Sequence, residues 1–213
     1  MNSIVILGDG AFPTEAYPLY LLDNAEGVVV CDGALVKWLA RDASARPLAV
    51  VGDMDSLPQE LQSRFADVLV HESEQDDNDQ TKALRWVLTH HPEVSEIVFL
   101  GATGLREDHT IGNLGLLMDY PRQFPLGDRK LSMVSDFGTA FVVTDSCDLH
   151  LGEGRRISLF SADNSLRLCS EGLQWPTDDV VFDAWWKATL NRTSAPFVSL
   201  HFSHPSTVLV MVD

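Results

Sequence analysis

The sequence predicts an α/β first part with a mostly parallel sheet flanked by helices, joined to an all-β, sandwich-like second part. Three observations carry this. Short Val/Ile/Leu runs without polar alternation recur up to about residue 136, which suits strands covered on both faces. Stretches with helical spacing separate them, the rhythm of a parallel sheet with helices packed on it. After about Phe137 the runs shorten, turn residues multiply and helical spacing becomes scarce, as expected of antiparallel strands.

In order, the expected strands of the first part are Ser3–Leu7, Val28–Cys31, Leu48–Gly52, Asp67–His71, Glu96–Leu100 and Lys130–Ser135. The expected helices are Thr14–Asp23, Ala34–Ala40, Gln59–Phe65, Asn78–His90 and Glu107–Tyr120. The second part offers Ala140–Thr144, Arg156–Ser161, Leu166–Cys169, Phe197–Phe202 and Thr207–Val212 as strands, with one helical piece near Ala184–Leu190. The division 1–136 and 137–213 follows from this change of pattern. In a parallel sheet of this kind, ligands gather beyond the carboxyl ends of the strands.

The chain of 213 residues carries 31 acids against 15 bases, a formal charge of −16. That excludes a partner held by phosphate neutralisation, such as nucleic acid, and disfavours anionic membrane surfaces. With 45% hydrophobic residues the chain has ample material for a core. Cys31, Cys147 and Cys169 are odd in number and form no CxxC pair, so free thiols in a reducing cytoplasm are expected. The segment Met1–Leu7 has no basic region and its apolar run ends at Gly8, so no signal peptide is expected. No apolar stretch reaches the roughly 20 residues of a membrane helix. Of the acids, 22 precede residue 137 and 9 follow it, against 10 and 5 bases. The excess therefore belongs mostly to the α/β part.

Three segments at strand ends collect the chemistry. Gly52-Asp53-Met54-Asp55-Ser56 follows the third strand. On an extended chain Asp53 and Asp55 would point the same way, a pair of carboxylates suited to Mg²⁺ and substrate phosphates. The same residues also fit a solvated turn in which Asp55 or Ser56 caps the next helix. Glu72, Glu74, Asp76, Asp77 and Asp79 follow the fourth strand, with no base among residues 71–79. Acids suit a helix N-terminus for macrodipole reasons, but five exceed what one cap requires. Asp79 and Lys82 share a helical face, offering a carboxylate for metal and an ammonium for phosphate. Gly101–Asn113 follows the fifth strand, with Arg106 as a phosphate fork and His109 and Asn113 on the same face. Gly8-Asp9-Gly10 has Pro13 in place of the third glycine of a dinucleotide fingerprint, which weakens an NAD-dependent reading. There is no Walker A, HExxH or G-x-S-x-G motif.

Taken in order, these segments resemble the thiamine pyrophosphokinases. The family pattern runs through a D-G-G-type turn, G-D-x-D-S, D-Q-D-x-T-D-x-x-K-A-L, and G-G-R-x-D-H with Asn five residues beyond the Asp. Here these read Asp32-Gly33-Ala34, Gly52–Ser56, Glu74–Leu84 and Gly104–His109 with Asn113. Downstream, Gly172-Leu173-Gln174-Trp175 resembles a G-L-x-W segment, and Thr193-Ser194-Ala195 a T-S-N whose Asn is replaced. Glu74 stands for Asp, Asn78 for Thr, Ala34 for Gly and Leu105 for Gly, while Asp53, Asp55, Asp76 and Asp79 remain.

The resemblance implies pyrophosphoryl transfer from ATP to the hydroxyl of thiamine, giving thiamine diphosphate and AMP. It also implies Mg²⁺ and a homodimer with sites in the cleft between subunits. It places Asp53, Asp55, Asp76 and Asp79 at the metal, with Asp53, Asp55, Asp79, Lys82 and Arg106 as the catalytic set. Asp32, Gln75, Lys82, Arg106, Asp108 and Asn113 fall at ATP, and Trp175 and Ser194 at thiamine. Trp175 suits a flat cation through stacking, and is equally a core candidate; Trp185 and Trp186 read as core or interface residues. A Mg²⁺-dependent nucleotide hydrolase and a non-catalytic nucleotide-sensing module are the rival readings.

Overall fold

The computed structural model describes residues 2–74 and 76–213. Six apolar runs of the first part become the strands of one all-parallel array, in the order β6-β5-β1-β2-β3-β4. These are β1 (Ser3–Leu7), β2 (Gly27–Cys31), β3 (Ala49–Gly52), β4 (Leu69–His71), β5 (Glu96–Leu100) and β6 (Lys130–Ser135). Between them run α1 (Ala16–Asn24), α2 (Ala34–Arg41), α3 (Gln59–Arg64), α4 (Asp79–His90) and α5 (Glu107–Gln123). Ile4 through Leu7 and Ile97 through Leu100 are all buried. Neighbouring residues of a strand face opposite ways, so both faces of the array are covered and no polar alternation is needed. Val5, Leu7, Val30, Val50, Val98 and Leu100 pack with Leu35 and Trp38 of α2 and with Phe65. On α4, Ala83, Leu84 and Val87 are fully buried, and this helix packs on β1, β2 and β3.

The chain divides into two compact units. One comprises Met1–Leu116 with Leu126–Asp136, the other Leu117–Pro125 with Phe137–Asp213. The second contains β7 (Gly138–Val143), β8 (Cys147–His150), β9 (Arg156–Phe160), β10 (Leu168–Glu171), β11 (Ala188–Arg192), β12 (Phe197–Phe202) and β13 (Val208–Val212). They pair antiparallel in two runs, β11-β9-β13-β7 and β10-β12-β8. Ile157, Leu159, Leu168, Phe182, Val198, Leu200, Val208 and Val210 fill the core of this unit.

Element boundaries depart from the sequence expectation for identifiable reasons. Helix α1 starts at Ala16 rather than Thr14: Glu15 is extended (ψ 155°), and the Asp136 carboxylate accepts Thr14 N–H (2.9 Å) and Glu15 N–H (3.0 Å) just ahead of the helix. Asp136 reaches the Thr14 amide from 122 residues away. Helix α5 continues through Pro121 to Gln123 instead of stopping at Tyr120. The helix expected at Ala184–Leu190 does not form. Turns lead there into β11, whose register shifts between Ala188 and Asn191, with Leu190 at φ 60°. Strands β8 and β11 were not expected; β8 alternates half-buried and exposed residues and is short.

A polar clasp joins two loops of the second unit. The Asp163 carboxylate accepts Ser165 Oγ at 2.6 Å and Ser206 Oγ at 2.9 Å, and lies 2.9 Å from His204 Nε2. These bonds, led by the Ser165 hydroxyl, hold the Asp163 carboxyl well below its usual 3.8. A depressed folded-state value stabilises the fold above the unfolded value and loses that effect as pH falls through the folded one. Thermal unfolding of wild type and Asp163→Ala should therefore show a clear gap at pH 4. The gap should narrow as pH falls below 3.8. A gap that persists unchanged to pH 2 would count against the clasp.

Candidate active site

Each strand of the first unit from β1 to β3 ends in an aspartate. Asp9 follows β1, Asp32 follows β2 and Asp53 follows β3. Asp79 opens α4, the helix packed over these three strands. The fold thus delivers four acids from four separate segments to the carboxyl ends of the parallel strands.

Asp32 is buried at 4% exposure. Its Oδ1 accepts Gly33 N–H at 2.6 Å, while Oδ2 is buried with no hydrogen-bond partner among the described residues. Burial first, and then the charge of Asp53, push its carboxyl above the usual range. The Gly33, Ser56 and Met54 amides work against that shift without closing a bond on Oδ2. Asp79 is raised in the same way, by burial first and then by Asp32, with Lys82 opposing and Asp53 adding to the shift. Asp32, Asp53 and Asp79 therefore lie within electrostatic reach of one another. Like charges this close favour either a proton or a cation between them.

Lys82 is a cation the chain supplies beside Asp79. It is 3% exposed, with Nζ 3.7 Å from Asp79 Oδ1 and donating to the Glu72 carbonyl at 3.1 Å. Asn78 caps α4, its Oδ1 accepting Thr81 N–H at 3.0 Å. Its Nδ2 donates to Asn113 Oδ1 at 2.9 Å, and Asn113 Nδ2 donates to the Ala102 carbonyl at 2.6 Å. Asn113 thereby ties the loop after β5 to the start of α4.

The geometry of Gly52–Ser56 differs from the extended pair expected. Strand β3 ends at Gly52 and Met54 adopts φ 67°, a left-handed conformation rare for a non-glycine residue. Asp53 Oδ1 accepts the Asp55 N–H at 3.1 Å, so the segment is a turn. The capping alternative does not hold either. The N-cap of α3 is Pro58, with no side-chain cap bond. Asp55 is exposed, and its carboxylate accepts no hydrogen bond among the described residues. A left-handed non-glycine residue such as Met54 persists only where its surroundings over-determine it.

Other expected residues are engaged locally or exposed. Asp76 is exposed, with its N–H on the Glu74 carboxylate; Asp77 is taken by Arg85. Arg106 is exposed and paired with Asp108 through Nε (3.1 Å) and Nη2, which holds the Asp108 carboxyl at about 2. His109 is exposed. Gln75 lies outside the described residues. In the second unit Trp175 is 56% exposed and lines a cavity of about 200 Å³ with Val180, Lys187 and Leu190. Trp185 and Trp186 are both 53% exposed, so neither is core. Ser194 is exposed and donates its N–H to the Gly172 carbonyl at 2.8 Å.

Gly8-Asp9-Gly10 proves to be a packing device rather than a phosphate loop. Gly10 N–H donates to the Gly101 carbonyl at 2.6 Å and Ala11 N–H to the Thr103 carbonyl at 2.8 Å. A Cβ on Gly10 would lie 2.4 Å from the Gly101 oxygen and 2.6 Å from that of Thr103. Gly10→Ala should therefore cost about 1–3 kcal/mol in denaturant unfolding, since only backbone could yield. A loss below about 0.5 kcal/mol would show that the two loops are not held this tightly. Asp136 already accepts the Thr14 and Glu15 amides just ahead of α1, the region where dinucleotide folds place pyrophosphate.

Among the described residues, no three carboxylate, imidazole or thiol groups converge into a ready-made metal cage. The donor set still suits Mg²⁺, which is commonly held by one or two carboxylates together with substrate phosphates and water. The buried, unpartnered Asp32 Oδ2 marks the place where positive charge is lacking. No helix among the described residues is long and apolar enough to cross a membrane.

Residues 19–126 match the family model described as thiamin pyrophosphokinase, catalytic domain, and residues 138–210 match thiamin pyrophosphokinase, substrate-binding domain. A thiamine pyrophosphokinase of Bacillus subtilis is 35% identical over 80 residues, 36% of each chain. Thiamine pyrophosphokinase 1 of Oryza sativa is 28% identical over 148 residues, 63% of this chain and 54% of that one. The aligned stretches thus span about a third and about half of these relatives. The crystal structure of thiamin pyrophosphokinase from Geobacillus thermodenitrificans superposes with TM-score 0.76 at 24% identity, covering 99% of this chain and 97% of that one. With its first part matching the catalytic model and its second the substrate-binding model, the chain belongs to the thiamin pyrophosphokinase family.

Proposed function

We propose that the chain is an ATP-dependent thiamine diphosphokinase, transferring the pyrophosphoryl group of ATP to the hydroxyl of thiamine to give thiamine diphosphate and AMP. The observation that carries this reading is the electrostatically linked Asp32, Asp53 and Asp79, with Lys82 buried against them, in a chain whose two parts match the two family models. Asp53, Asp55 and Asp79 would hold Mg²⁺, with Asp76 in support. When bound, the ion would neutralise phosphate charge and the mutual repulsion of the acids.

The protein's own groups do the rest by positioning and by placing charge. Lys82, fixed by the Glu72 carbonyl, presents an ammonium to phosphate oxygens. Arg106 is exposed on the loop before α5, where it can exchange Asp108 for a phosphate partner. Asn113 fixes that loop against α4, and Asp32, Gln75 and Asp108 complete the nucleotide contacts. Trp175 offers thiamine a flat, exposed indole, with Ser194 as a polar contact in the same unit.

The proposal extends to a homodimer in the cytoplasm. Three half-exposed tryptophans, Trp175, Trp185 and Trp186, are of the kind that interfaces and ligands cover. The decisive assay supplies purified protein with ATP, Mg²⁺ and thiamine, and scores thiamine diphosphate and AMP together. Equal amounts of both, each requiring thiamine, are expected. AMP released without thiamine would favour a hydrolase, and tight Mg²⁺–ATP binding without AMP a sensing module.

A further inference from the structure

Sequence reasoning passed over Asp9 and Lys37, yet the structure builds both into the acid group. Lys37 on α2 sends all three of its polar contacts to one place. Its Nζ donates to the Asp9 carbonyl at 2.7 Å and the Gly10 carbonyl at 2.9 Å, and pairs with Asp9 Oδ1 at 2.7 Å. The second carboxylate oxygen, Oδ2, faces Gly33. A Cβ on Gly33 would lie 2.7 Å from that oxygen and 2.9 Å from Asp9 Cγ. Gly33 has φ −64°, a conformation any residue adopts, so glycine is required here for room and not for backbone freedom. The room is taken by Asp9, beside Asp32 whose buried Oδ2 lacks a partner. Burial first, and then the charges of Asp79, Asp32 and Asp9, raise the Cys31 thiol. Asp9 therefore belongs to the same electrostatic neighbourhood.

We propose that Asp9 is a further carboxylate of the cation site, a positioning residue that accepts hydrogen bonds from the water shell of the bound ion. Lys37 is the group that fixes it there. Water-bearing Mg²⁺ needs such outer partners, because it gives up its hydration reluctantly. Lys37 holds Oδ1 and the loop backbone, which leaves Oδ2, beside Gly33 on a side chain 51% exposed, as the oxygen available to such water. The inference rests on the Mg²⁺–ATP reading above.

Mn²⁺ affinity in the presence of ATP, read from the electron spin resonance of free Mn²⁺, tests it without turnover. Asp9→Asn should weaken Mn²⁺ about 10-fold, the usual scale for an outer-shell partner. Lys37→Met should weaken it in the same direction, and the double variant should be no worse than Asp9→Asn, since Lys37 acts through Asp9. Gly33→Ala, which displaces Asp9 while leaving its charge, should reproduce the loss. An Asp9→Asn protein that keeps wild-type Mn²⁺ affinity while its thermal midpoint falls would reduce the pair to a loop staple and overturn the proposal. Wild type that binds no Mn²⁺ with ATP would overturn the cation site as a whole, and the role of Asp9 with it.

Discussion

Asp55→Asn is expected to lower thiamine-dependent AMP formation at least about 100-fold, the scale on which a single charge-stabilising group acts. Its thermal midpoint should stay within about 2 °C of wild type. The separation follows from the turn after β3. Asp55 is exposed, its carboxylate accepts no hydrogen bond among the described residues, and α3 is capped by neither Asp55 nor Ser56. Nothing in the fold depends on this charge, so loss of turnover would report on the site and not on folding. Retained activity would remove Asp55 from the metal-binding set.

Lys82→Met should lose activity to a similar or greater degree and also destabilise the protein. The ammonium is buried between the Glu72 carbonyl and Asp79, and removing it leaves both facing an apolar chain. Breaking a fully buried pair costs about 3–5 kcal/mol. Asp79 keeps 37% side-chain exposure, however, so water screens the remaining charge and a loss of about 1–2 kcal/mol is expected. Lys82 is also what holds the Asp79 value down against burial and Asp32. In the variant, the acid limb of residual activity should move to higher pH. An unmoved limb would show that Asp79 does not titrate in the working enzyme.

Much of the first unit was legible because its strands obey one rule. Runs such as Ser3–Leu7 and Glu96–Leu100 are buried on both faces, and each stops where acids or glycines begin. The acids at strand ends could be named for the same reason. Their mutual geometry could not. The disposition of Asp53 and Asp55 depends on the left-handed Met54, which no local pattern announces. Lys37 could have been suspected from its helix, since α2 follows the Asp32-Gly33 turn directly, but its partner is 28 residues away. In the second unit, β11 was missed because Asn191 and Arg192 interrupt its apolar character and its bulge breaks the alternation. The Trp185-Trp186-Lys187 spacing then passes for helix although turns occupy it.

The carboxylate of Asp136 at the head of α1 has a consequence for how such proteins can be redesigned. A doubly wound scaffold normally invites anions to its first helix, and here a resident side chain already holds the amides just ahead of it. Phosphate recognition is therefore not portable by glycine grafting: restoring a fingerprint at Gly8–Pro13 would create a loop leading to amides already taken. A designer wishing to add a second nucleotide to this frame would first have to evict Asp136. Doing so would give up the bonds it accepts just ahead of α1.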